Sequence, residues 1–298
     1  MGYWKNFNKK RTEFFLQLGV SVAIQIEFRT FLNYLNKIID MAHETPILLQ
    51  EVTMDDLGLK PDISDRYKLF LNDVMEYHQD KIHSVYVVGS ALTRDYDPKI
   101  SDINSVFVLH EMDLEFLDLL APLGKKYGKK RIAAPLIMTP GYIGESLDVF
   151  PIEFLNIKLL HYTVFGNDIF KDLDIQKSDL RRQCERELKG KLIGLRQGYI
   201  SAAGEQRILA QGLAESFAGY MPLFKAVIVL FGRQAPRNNK EILSVLEEVS
   251  GLRTDAFRQV LMHKHGQTKP SGDTLNLVFK DYYRIIEQLG DMINALEA

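Results

Sequence analysis

The chain reads as an α/β half spanning roughly residues 55–175, followed by an all-helical half spanning roughly 176–298, with a helical extension over 1–54 in front. Two observations predict this order. Before residue 175, short apolar runs rich in β-branched residues alternate with segments of 3.6-residue period. After Ser178 the helical period dominates and no convincing strand appears. The junction falls near the Gly166-Asn167-Asp168 turn and the polar stretch from Asp172 to Ser178.

Each element follows from local chemistry. Lys5, Lys9, Lys10 and Arg11 precede an apolar stretch from Phe14 to Ile26, a layout that imitates a secretory signal. Gln17, Gln25 and Glu27 interrupt it, and no small-residue cleavage site follows. An amphipathic helix from Thr12 to Ile39, docked on the main body, is expected instead. A start placed too early, with Met41 or Met54 as the natural first residue, is the alternative. A homodimer contact through this helix is a further reading.

Ser64 reads as an N-cap, with Tyr67, Phe70, Leu71, Val74 and Met75 on one helical face. A strand from Ser84 to Val88 ends at Gly89-Ser90, which is expected to start a short helix. Ile103 to Leu109 forms a second strand, Ile132 to Met138 a third, and Val149 to Asn156, carrying Glu153, a fourth. A helix through Leu114 to Leu120 ends in the KKYGKKR stretch, and Thr139-Pro140 opens another. The expected helices of the second half are 179–199, 206–231, 240–249, 254–262 and 274–296.

Composition narrows the function classes. Among 298 residues, 46% are hydrophobic and 26% charged, a soluble globular balance. A formal net charge of -2 gives no global basic field, so neither nucleic acid nor an anionic membrane is an expected partner. Cys184 is the single cysteine, which excludes an internal disulfide and Cys-rich metal sites and fits a reducing cytoplasm. No apolar run reaches the roughly 20 residues of a membrane span.

The stretch VVGSALTRDYDPKISDINSVFVL carries the chemistry. A glycine directly after a strand lets the backbone approach a ligand, and a helix N-terminus beyond it would offer free N–H groups to phosphate. Ser90 adds a hydroxyl donor and Arg94 a charged fork for the same anion. Strand alternation puts Asp102 and Asn104 on one face, where two side-chain oxygens can share a divalent cation with phosphate. Glu153, between apolar neighbours, is a candidate third ligand or general base, with Glu145 and Asp148 in reserve.

Gly89-Ser90, a loop, Asp102-x-Asn104 and a later acid together resemble the DNA-polymerase-β-like nucleotidyltransferase superfamily. With a helical half following, the chain looks most like the aminoglycoside (kanamycin-type) nucleotidyltransferases and their uncharacterised bacterial relatives. The motif match covers roughly 84–155. The resemblance implies a nucleotidyltransferase fold with a mixed sheet flanked by helices, then an all-helical C-terminal domain. It implies binding of Mg-ATP or another nucleoside triphosphate, and transfer of a nucleoside monophosphate to a hydroxyl on a small molecule or protein, with release of pyrophosphate. Gly89 and Ser90 would hold the triphosphate, Asp102 the Mg²⁺, and Glu153 the third-acid role.

Asn104 departs from the pattern, which has a carboxylate there. An amide oxygen ligates Mg²⁺ without charge and bridges two ions poorly. A catalytically silent module for nucleotide sensing or protein interaction is therefore the competing expectation.

Other signals carry less. Arg182, Arg186, Lys189 and Arg196 line one helix face, read as a solvated surface or as a basic wall for triphosphate or acceptor. Lys125, Lys126, Lys129, Lys130 and Arg131 form a solvated basic loop. His263-Lys264-His265 is too isolated for zinc.

Overall fold

Strand β1 (Ile82–Val88) lies between β2 (Asn104–Leu109) and β4 (His161–Gly166), antiparallel to both, and β3 (Leu136–Met138) runs parallel to β2 on its outer side. The sheet is mixed, as expected. This arrangement comes from a computed structural model that describes residues 59–297 apart from 95, 100, 265 and 269–271. The helix expected over 12–39, with Met41 and Met54, lies outside the described residues.

Alternation sorts each inner strand onto two cores. Val85, Val87, Phe107 and Leu109 face helix α1 (Pro61–His78) and helix α2 (Leu114–Gly128). Tyr86, Val88, Val106 and Val108 face the opposite side, where Ile143 of α3 (Pro140–Glu145) and Phe154 and Ile157 of α4 (Pro151–Leu159) cover them. Helix α1 starts at Pro61 rather than with Ser64 as its cap. Proline at the first helical position lacks only an N–H that would have no helical partner, and the Ser64 amide already donates to Lys60 O.

Two strand assignments change. The third strand is shortened to Leu136–Met138. Ile132 makes only an isolated parallel bridge to Ile103, and Pro135 lies between the two pairings. The segment expected as the fourth strand is helix α4, and β4 follows it. Pro151 occupies its first turn, and the helix is wedged between two cores: Ile152 and Leu155 pack into the helical half, Phe154 and Ile157 onto the sheet. Burial on two sides makes the run apolar nearly throughout, and such a run cannot be told from a strand by period.

The helical half comprises α5 (Lys177–Ser201), α6 (Gln206–Phe217), α7 (Met221–Leu230), α8 (Asn239–Ser250), α9 (Asp255–Lys264) and α10 (Gly272–Ala295). The single helix expected over 206–231 is broken between Phe217 and Met221 by a 3-10 turn, with Pro222 in the first turn of α7. Asn238 caps α8 by accepting from the Glu241 amide, and Gly251 ends it in the left-handed region. Phe224, Phe257, Tyr220 and Tyr282 form its aromatic centre. Cys184 is fully buried against this core. Among the described residues no single helix is long and apolar enough to cross a membrane.

Candidate functional site

The edge expected to hold phosphate begins where β1 ends. Gly89 has φ +76°, a conformation that L side chains rarely adopt, and its amide donates to Leu160 O at 3.0 Å, which ties the turn to the end of α4. Gly89–Leu92 is one 3-10 turn, not a longer helix. Its Ser90 carbonyl accepts from both the amide and the hydroxyl of Thr93, each at 2.9 Å. The helix dipole expected here is therefore reduced to a single turn, and positive charge for an anion has to come from elsewhere. Ser90 and Arg94 are both exposed; only Ser90 lines the adjoining cavity.

Across the ladder, Asn104 pairs with Val88, and it shares a sheet face with Val106 and Val108. A β-carbon built on Gly89 would lie 4.0 Å from Asn104 Nδ2, so the amide and the turn adjoin. Ile103 is fully buried on the other face, which leaves Asp102 and Asn104 projecting together. The Asp102 carboxylate is half exposed and meets Arg131 Nη1 at 3.4 Å. Arg131 Nη2 donates to Lys99 O at 2.9 Å.

Glu153 lies in the first turn of α4, not on a strand. Its carboxylate accepts from Gln183 Nε2 at 2.8 Å, and it is absent from the cavity wall. Glu145 and Asp148 are exposed and do not line the cavity either. The strand beside β2 offers Leu136, Ile137 and Met138, none of them an acid. Among the described residues no three His, Cys, Asp or Glu side chains gather to hold a metal ion.

A cavity of about 380 Å³ opens from Gly89-Ser90 toward the helical half. It is also lined by Lys225 of α7, Arg237 from the α7–α8 connection and Lys264 of α9. Lys225 is only 6% exposed. Sequence reasoning did not select these three. The available signal was Lys225 itself, a lone charge in the apolar run MPLFKAVIVL. Lys264 lies between two histidines in the sequence; His263 Nδ1 donates to Thr268 O, and His265 lies outside the described residues.

The basic face of α5 does not line this cavity. Arg182 pairs with Asp179, Lys189 with Glu185, and Arg196 with the Tyr283 hydroxyl. Those pairs leave it a solvated surface.

A solved structure is similar to this chain. Spectinomycin adenyltransferase AAD(9) from Enterococcus faecialis, solved with ATP and spectinomycin, aligns over 76% of this chain and 98% of its own length, at 13% identity and a TM-score of 0.45. No protein-family model matches the chain, and no curated protein matches it.

Proposed function

We propose that this chain is a nucleotidyltransferase-like protein whose cavity holds the phosphates of ATP or another nucleoside triphosphate. One observation carries the reading: the Gly89-Ser90 turn at the end of β1 lines the same cavity as Lys225, Arg237 and Lys264. A triphosphate brings several negative charges, and three cations around it supply charge-assisted hydrogen bonds. Gly89 lets the backbone come close, and Ser90 donates from its hydroxyl.

Magnesium, when bound, would neutralise phosphate charge. Asp102 and Asn104 do not line the cavity, but Asn104 adjoins Gly89, and the pair would offer one carboxylate and one amide oxygen to a single ion shared with phosphate and water. They fall short of the acidic set that two ions require, since Glu153 is engaged by Gln183 outside the cavity wall.

Transfer at such a site would join an acceptor hydroxyl oxygen to the α-phosphorus and break the α–β bridge, with pyrophosphate leaving and the hydroxyl proton passing to water. The acceptor would be a small molecule or a protein hydroxyl. Lys225, Arg237 and Lys264 would stabilise the departing charge. A second reading, binding without transfer, is favoured by Asn104 and by the position of Glu153.

Calorimetry with ATP, with and without Mg²⁺, tests the reading. A saturable binding isotherm is expected, and its absence under both conditions rejects a nucleotide site. Pyrophosphate release with candidate acceptors then separates transfer from binding alone.

A further inference from the structure

Helix α2 ends in a Schellman-type turn. The Ile132 amide donates to Tyr127 O at 3.2 Å, and the Arg131 amide to Gly128 O at 3.1 Å. Ile132 and Tyr127 share the same apolar core, which completes the motif. In this turn the residue after the cap is left-handed, and glycine or asparagine usually fills it. Here it is Arg131, with φ +61°. The turn needs that backbone conformation but not a guanidinium, so what the side chain touches is the point of interest.

Its two contacts lie on the phosphate edge. Nη1 is 3.4 Å from Asp102 Oδ1, and Nη2 donates to Lys99 O at 2.9 Å. The backbone fixes the approach: Ile103 N donates to Arg131 O at 2.7 Å, and Ala133 N donates to Ile103 O at 3.0 Å. Arg131 is thus locked in register with the residue between Asp102 and Asn104. A cation covalently part of the protein sits against the one carboxylate that would bind a metal ion.

We propose that Arg131 takes the place of a divalent cation at Asp102. A metal ion at that carboxylate competes with the guanidinium, and triphosphate binding depends little on Mg²⁺. The ligand named here rests on the nucleotide reading above; the competition at Asp102 does not.

The turn makes a clean test possible, because Arg131→Gly installs a residue the backbone favours. R131G is expected to unfold at the wild-type temperature or above it. Mn²⁺ binding, followed by electron paramagnetic resonance, should tighten by about threefold or more, the scale of a half-exposed ion pair. Asp102→Asn in the R131G background should remove the gain. By calorimetry, the ATP affinity of wild type should change little on adding Mg²⁺, whereas that of R131G should rise. If R131G unfolds early, Arg131→Asn, the other usual occupant, carries the same measurements. Equal Mn²⁺ affinity in wild type and R131G, no Mn²⁺ binding to R131G, or a gain that survives Asp102→Asn overturns the proposal. Absence of ATP binding to wild type rejects the nucleotide reading alone, and the Mn²⁺ comparison still decides the role of Arg131.

Discussion

Gln183 of α5 joins Glu153 and Ile152 of α4: its Nε2 donates to the Glu153 carboxylate at 2.8 Å, and its Oε1 accepts the Ile152 amide at 2.7 Å. Gln183 is 4% exposed, so one buried amide caps the first turn of α4 and holds the acid beside it.

Gln183→Leu removes both bonds and leaves the Ile152 amide without its partner. A loss of about 1–3 kcal/mol is expected in urea unfolding, the cost of an unsatisfied buried donor. A midpoint equal to wild type would show that the cap contributes nothing.

Asn104→Asp restores a second carboxylate beside Gly89. Pyrophosphate release should rise from a low wild-type rate by up to about 10²-fold, the scale of one transition-state contact. A wild-type rate that is already substantial and unchanged in N104D would show the amide to be competent.

Lys225→Met keeps the length and apolar stem of a nearly buried side chain while deleting its charge. ATP should bind about tenfold more weakly, the loss of one charge-assisted hydrogen bond. Undiminished affinity would place the phosphates away from α7.

Acid should weaken the β4 edge through Asp168. Burial pushes its carboxyl up, but the His161 imidazole 2.9 Å away and the amides of Lys171 and Phe170 outweigh burial, leaving it below the ordinary range. A depressed acid contributes stability that is present above its unfolded value, near pH 4, and is lost as pH falls through the folded one. Asp168→Asn should flatten that part of the stability–pH curve, measured by thermal unfolding. An identical acid limb in both proteins would discount the pair.

How much was legible in the sequence varied with distance along the chain. The turn after β1 and the start of β2 could be read because their parts are neighbours: Gly89-Ser90 directly follows β1, and Asp102 and Asn104 flank the buried Ile103. Strand alternation and the left-handed tolerance of glycine operate within a few residues. Glu153 was misassigned because α4 is buried on two sides, which removes the polar stripe that marks a surface helix. The sequence reads as one helix over 206–231 because its apolar period continues through the 3-10 turn at Ala218–Tyr220, where the α-helix breaks.

By itself, then, the sequence determined that an α/β half precedes a helical half, along with the composition of the turn and the amide at position 104. These follow from propensity, alternation and residue chemistry, all local. Only the tertiary structure decided that Glu153 is held by Gln183 outside the cavity wall, that Arg131 rests on Asp102, and that Lys225, Arg237 and Lys264 share a cavity with Gly89-Ser90. Those relationships join segments far apart in the chain, and the packing of α4 between two cores sets where each segment comes to lie.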